Sequence, residues 1–316
     1  MRAHLSTVSR GYHDNTLIQT YESGVVAIDT LMHGREGITA VYYLPGEHPA
    51  LIETGPGSSI EATRQGLAEA GVDRIDWIVV THIHLDHAGA VGHLAEQFPD
   101  AVIVVREEGA PHLIDPSRLW ASAARLYPDM EKMWGEMIPV HQDRIRAVSE
   151  DGPVADLGGR ELHAYYAPGH AKHHMALFET TNGDLFTGDA IGVYLPDAGR
   201  IRPATPPPEF DLEVSLATIE KLRSLKPKRV FPTHFGQVPS PDAAFDEAGE
   251  QYTRWVAMAE EVFAKGGDQS QIAEAFRAKR QEFYPDLSTE AIDKLEQTTS
   301  YELNAAGIFR YLTKRA

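Results

Sequence analysis

Trp77-Ile78-Val79-Val80-Thr81-His82-Ile83-His84-Leu85-Asp86-His87-Ala88-Gly89 is the stretch on which the reading of this chain turns. Its first four residues form an apolar run of strand length, and Ala90 to Phe98 beyond it has helical character. Three imidazoles and a carboxylate thus fall within six residues, on a loop between a buried strand and a helix. The carboxyl end of a strand is where α/β sheets place their chemistry. A protein interior does not crowd four such side chains without a partner to satisfy them. A metal is that partner, because neutral imidazole and carboxylate are the standard nitrogen and oxygen ligands of zinc and its neighbours.

The 316 residues suit one large domain or a domain with an appendage. There is no cysteine, so disulfides, thiolate ligands and cysteine nucleophiles are excluded, and a metal must be held by His, Asp or Glu. The formal charge of −17 repels nucleic acid and anionic membranes, so neither is expected as a partner. MRAHLSTVSRGYHDNTL at the start has no apolar core of signal-peptide length, and no run approaches the length of a membrane span. A cytoplasmic protein acting on a small molecule is the expectation.

In chain order, residues 1–20 read as an irregular lead-in. Strands are expected over 24–30, 38–44 and 50–52. A helix capped by Ser58 or Ser59 is expected to run to about Ala70 and stop at Gly71. Strand 77–80, the polar loop, a helix ending near Phe98 and a strand over 101–105 follow. Residues 106–144 break the rhythm with Pro111, Pro116, Pro128 and Pro139 and with large apolar groups that include Leu113, Trp120, Leu126, Met130 and Trp134. This helical insertion is too long for a simple connection and reads as a lid or as a covering or dimer-forming excursion. Short strands are expected over 145–148, 154–157, 162–166, 175–180 and 184–187, with Asn182-Gly183 as a hairpin signal. A proline-rich link (203–208), a helix over 212–225 and a strand over 229–232 come next. From Pro241 to Ala316 the pattern is helical. The division expected is 1–240 as an α/β domain and 241–316 as a helical extension.

Three later positions share the character of the first loop. His170 lies in Pro168-Gly169-His170, Asp189 in Thr187-Gly188-Asp189 and His234 in Pro232-Thr233-His234, each at the end of an apolar run beside a glycine or proline turn. The ordered set His82, His84, Asp86, His87, His170, Asp189 and His234 resembles the metallo-β-lactamase superfamily, whose first motif is His-x-His-x-Asp-His. The resemblance spans residues 24–236 and implies an αββα sandwich, an α/β (α+β) fold with a dinuclear site at one edge of its two sheets. It implies one metal on His82, His84 and His170, a second on Asp86, His87 and His234, and Asp189 between them. Two divalent ions are implied, zinc first, with manganese or iron as alternatives. The family commonly has Asp-x-Gly at the strand end near Ile52. This chain has Glu53-Thr54-Gly55, and Glu53 reads as a carboxylate behind the ligands that orients one histidine.

Such a centre implies a hydrolase in which a metal-bridging hydroxide attacks an ester, thioester or lactone, with Asp86 orienting the nucleophile and Tyr194 donating to the oxyanion. His33, His173 and His174 are further candidates for touching substrate. The motif region resembles glyoxalase II-like thioesterases and acyl homoserine lactonases, and the helical tail resembles the glyoxalase II branch, with a homodimer contact as a further use for it. Two other classes compete. A mononuclear iron persulfide dioxygenase would use two His and one Asp, and a phosphodiesterase would call for more positive charge. A non-catalytic scaffold would have lost ligands that this chain keeps.

Overall fold

The computed structural model of the chain describes residues 16–125, 127 and 129–316. Residues 1–15 of the expected lead-in, and Leu126 and Pro128 of the insertion, lie outside the described residues. Strands β1 (Ile18–Thr20), β2 (Val26–Asp29), β3 (Ala40–Leu44) and β4 (Ala50–Ile52) pair antiparallel in turn. The chain then changes to crossovers. Helix α1 (Ile60–Glu69) leads to β5 (Trp77–Val79), and α2 (Leu85–Ala88) with α3 (Val91–Gln97) leads to β6 (Val102–Arg106). Short helices α4 (Ala110–Ile114), α5 (Ser117–Ala123) and α6 (Met130–Trp134) make up the insertion before β7 (Ile145–Val148). From β4 to β7 the pairing is parallel, and the seven strands lie in chain order.

The second sheet has the order β14-β11-β10-β9-β8. Its strands are β8 (Gly152–Asp156), β9 (Glu161–Tyr166), β10 (Met175–Glu179) and β11 (Asp184–Gly188), joined after a ribbon, β12 (Val193–Leu195) and β13 (Arg200–Arg202), and after α7 (Leu212–Ser224) by β14 (Arg229–Pro232), parallel to β11. Helices α8 (Pro241–Phe263), α9 (Gln269–Ala278), α10 (Arg280–Phe283), α11 (Thr289–Thr298) and α12 (Tyr301–Arg315) complete the chain.

The period of two along each strand divides the first sheet's apolar residues between two cores. Val41, Leu51, Ile78 and Ile103 face a core shared with α1, α3 and the insertion. Their neighbours Tyr42, Ile52, Val79 and Val104 face the second sheet, where they meet Leu177, Phe186 and Phe231. The far face of the second sheet packs on α7 and the C-terminal helices in one continuous core that joins Leu185 and Val230 to Ile219, Trp255, Phe276 and Ile308. The layering is helix, sheet, sheet, helix. The C-terminal helices therefore share a core with the second sheet rather than burying one of their own. Among the described residues no helix is long and apolar enough to cross a membrane.

Several local expectations change. Leu85–Ala88 is a turn of helix rather than loop, because its backbone amides find carbonyls one turn back, as Ala88 N–H does on His84 O. Ser59 begins α1 without a side-chain cap. The hairpin at Asn182-Gly183 has a four-residue loop, residues 180–183, whose amides at 181 and 182 donate to Glu179. Ile18–Thr20 is not irregular, and the ribbon β12–β13 was not foreseen.

The proline-rich link 203–208 is held by the C-terminal helices. Asn304 on α12 is fully buried, and its Oδ1 accepts the Thr205 amide at 2.9 Å and the Thr205 hydroxyl at 2.7 Å. The approach is tight: a Cβ on Gly307 would lie 1.7 Å from Thr205 O. Thr299 Oγ1 donates to Pro203 O at 3.0 Å. Asn304→Ala strands the buried Thr205 amide, so urea unfolding should show a loss of about 1–3 kcal/mol; no loss would mean the link does not depend on this contact.

Candidate metal centre

Four strand ends deliver the site. β5 runs into His82, His84, Asp86 and His87; β9 precedes His170, β11 precedes Asp189, and β14 precedes His234. Gly188 shows why the turn before Asp189 is glycine. Its φ is +51°, and a Cβ there would lie 2.5 Å from His174 Nε2 and 2.6 Å from Thr81 Oγ1. Any side chain would push Asp189 out of line.

The seven expected ligands converge. His84 Nδ1 lies 3.0 Å from both His82 Nε2 and His170 Nε2. Asp86 Oδ2 lies 3.3 Å from His234 Nε2 and 3.7 Å from His87 Nε2. Each triad has ligand atoms close enough together to share one ion. Asp189 stands between them. Its Oδ2 is 3.5 Å from His170 Nε2, and its Oδ1 is 3.4 Å from His87 Nε2 and 3.7 Å from His234 Nε2. His87 Nε2 and Asp189 Oδ1 are buried without a hydrogen-bond partner among the described residues. Buried polar atoms in that state are costly, and a cation between them satisfies both. The donor set of imidazole nitrogen and carboxylate oxygen fits divalent zinc, manganese or iron.

The other ring nitrogens are fixed from behind. His170 Nδ1 meets Ala204 O at 3.0 Å, His234 Nδ1 meets Ile38 O at 3.0 Å, and His82 Nδ1 meets Thr81 Oγ1 at 3.0 Å. His87 Nδ1 lies 3.0 Å from Glu53 Oε1. Glu53 is fully buried at a φ of +66°, and its carboxylate also accepts Thr81 Oγ1–H at 2.5 Å, Thr81 N–H at 3.1 Å and Thr233 Oγ1–H at 3.0 Å. This is the place expected of Glu53. A fixed Nδ1 leaves Nε2 of His87, His170 and His234 directed at the site.

Burial, reinforced by neighbouring imidazoles, holds His82 and His84 well below the ordinary histidine pKa, so both are neutral and ready to ligate. In the second triad burial acts the same way but is outweighed: Asp189 and Asp86 raise His87 and His234. Burial disfavours the Asp86 and Asp189 carboxylates, yet His87 and His234 hold both well below the usual range. Loading a cation here displaces imidazolium protons, so uptake releases protons into solution.

The site opens on a cavity of about 430 Å³. Asp86, Asp189, His84 and His170 line one side, the insertion lines another with Leu119, Tyr127 and Trp134, and Pro206–Pro208 with Leu303 lines a third. His173 lines it too, its pKa pushed down to about 3 by burial and by His170. The other expected substrate contacts lie elsewhere. His174 is fully buried and does not line the cavity; its Nε2 accepts the Asp189 amide at 3.1 Å. Tyr194 and Val193 both belong to the core of the second sheet and helices, and of the two it is Val193 that lines the cavity. The Tyr194 amide donates to His234 O at 2.7 Å. His33 packs edge-on against Trp134 at 5.6 Å and lines a separate depression on the surface. Tyr127, in the insertion, is the phenol on the cavity wall.

The chain belongs to the metallo-beta-lactamase superfamily, whose model matches residues 33–234, a span that ends on His234 and holds all seven candidate ligands. Over 206 residues the chain is 32% identical to the metallo-beta-lactamase fold-containing protein ST1585 of Sulfurisphaera tokodaii, covering 64% of this chain and 74% of that protein. The crystal structure of ST1585 aligns with a TM-score of 0.65 and 26% identity, over 86% of this chain and 93% of that one. Similarity extends to an atrochrysone carboxyl ACP thioesterase of Aspergillus fumigatus, 27% identical over 190 residues, 60% of this chain and 48% of that protein. A hydroxyacylglutathione hydrolase of Synechococcus sp. is 25% identical over 195 residues, 61% and 62% of the two chains. The chain thus spans about half of the thioesterase and somewhat under two thirds of the glutathione hydrolase.

Replacing Glu53 by Gln keeps its size but weakens its hold on His87 Nδ1. Titration of metal-free protein with zinc should give an affinity about 10–100-fold lower than wild type. Unchanged affinity would show that Glu53 is structural only.

Proposed function

We propose that the chain is a dinuclear metal-dependent hydrolase that cleaves an ester, thioester or lactone of a small molecule. The observation that carries this reading is Asp189, with one carboxylate oxygen turned to the His170 side of the centre and the other to His87 and His234. A single-iron dioxygenase would leave one complete triad without a use. The apolar wall of Leu119, Trp134, Val193 and Leu303 suits an acyl group better than a phosphodiester. The thioesterase among the similar proteins supports the same arm.

Two divalent cations at this centre would bring the pKa of a water toward neutrality and polarise the electrophile. The chain's own residues do the rest. Asp86 borders both the ligand cluster and the cavity, so its carboxylate orients the attacking water and passes a proton toward the leaving group. Tyr127, whose phenol lines the cavity, takes the donor role toward the substrate oxygen in place of Tyr194, which does not line it. Burial, with Asp86 nearby, raises the Tyr127 phenol, which stays protonated and able to donate at neutral pH. Trp134 packs edge-on against Tyr127 at 5.0 Å and fixes its ring. His173, neutral near pH 7, offers a further polar contact.

Metal analysis of protein expressed without added metal should find about two ions per chain, and chelation should abolish hydrolysis of an ester, thioester and lactone panel. About one iron per chain with oxygen consumption on persulfides would overturn the proposal. Tyr127→Phe should lower kcat roughly 10²-fold with a smaller change in KM; an unchanged kcat with KM raised by that factor would make Tyr127 a binding group.

A further inference from the structure

The charged side chains on the cavity wall that do not face the metal ligands point to the shape of the substrate. Arg118 on α5 and Arg125, just past its end, both line the cavity. Neither makes a side-chain hydrogen bond or ion pair among the described residues. Several other arginines are matched: Arg106 with Glu108, Arg202 with Glu296 and Arg229 with Asp184. Both are exposed, so in a chain of net charge −17 the guanidinium groups of Arg118 and Arg125 keep free donors on the cavity wall. The nearby acids hydrogen-bond elsewhere, although Asp115, held down first by its Ser117 hydrogen bonds, also feels the charge of Arg118. Asp115 accepts the Ser117 amide at 3.1 Å, and Glu209 accepts the Lys172 amide at 2.8 Å.

We propose that the cavity takes an acyl substrate carrying a second anion, a carboxylate or a phosphate-type group, away from the bond that is cleaved, and that Arg118 and Arg125 hold this anion. The inference rests on the hydrolase reading of the same site. A guanidinium presents a planar fork of donors that matches carboxylate and phosphate oxygens two at a time. Leu119, Trp134, Val193 and Leu303 supply an apolar wall in the same cavity for the substrate's body. The wider field of the protein repels anions, so a local pair of cations in a cleft selects small anionic molecules over polyanions, which would meet the acidic exterior.

The test compares three product-like probes on the zinc-loaded full chain by calorimetry: butyrate, glutarate and 4-phosphonobutyrate. All three place a carboxylate at the metals, and the last two add an anion at the far end. The wild type should bind glutarate or 4-phosphonobutyrate about tenfold tighter than butyrate, the worth of one charge-assisted contact. Which of the two binds tighter tells carboxylate from phosphate. In R118A/R125A that ratio should fall to about one, and R118K/R125K should recover part of it. Metal content and thermal midpoint verify that the variants are folded. A wild type without the preference, or a double alanine variant that keeps it, overturns the proposal. Because binding needs no turnover, the two readings fail separately. A protein that cleaves no ester, thioester or lactone but shows the arginine-dependent ratio loses the hydrolase assignment and keeps the anion subsite. A protein that cleaves neutral thioesters with a ratio near one keeps the activity and loses the subsite.

Discussion

A single buried carboxylate, Glu53, joins the parts that make this centre. It sits at the end of β4 and accepts from Thr81 at the end of β5, from Thr233 at the end of β14 and from His87 in the first motif. Those contacts reach across both sheets, so the carboxylate fixes the edge of the sandwich where the ligands gather. Its backbone adopts a left-handed conformation, φ +66°, which costs a non-glycine residue roughly 1 kcal/mol or more. Its charge-assisted hydrogen bonds outweigh that cost.

Around Glu53 the site is a problem in electrostatics. Three carboxylates and five imidazoles lie within a few ångström in a region closed to water on most sides. Without cations the second triad relieves the crowding as imidazolium–carboxylate pairs, while the first triad stays neutral. The two halves of one site are therefore unequal before any ion arrives. The neutral His82–His84–His170 triad is ready to take one, whereas the Asp86–His87–His234 triad must first give up protons.

Much of this was legible in the sequence because the ligands stand where apolar runs stop. A strand's own residues mark its end, and a histidine or aspartate directly after it is placed to within a residue or two. Legibility failed where position depends on parity or on distant packing. Val193 and Tyr194 are neighbours in a three-residue strand, and only pairing with Arg200–Arg202 decides which one faces the cavity. His173 and His174 are likewise adjacent, yet one lines the cavity and the other supports Asp189. Tyr127 could not be singled out, because its place depends on how the insertion folds back over the first sheet. The helical turn Leu85–Ala88 was hidden because ligands occupy it, and ligands obey no hydrophobic period.

The link 203–208 is tied to α12 by Asn304 and to α8 by Tyr252, which donates to and accepts from the backbone of Ala204. Ala204 O in turn steadies His170. The helical tail is thus in mechanical series with a metal ligand. A chain cut or fused at the apparent boundary near 240 would lose the strap's anchors along with the helices. Unfolding of the tail and loosening of the first triad should then belong to one cooperative event, which makes the tail part of the candidate site's chassis and a poor place to graft foreign sequence.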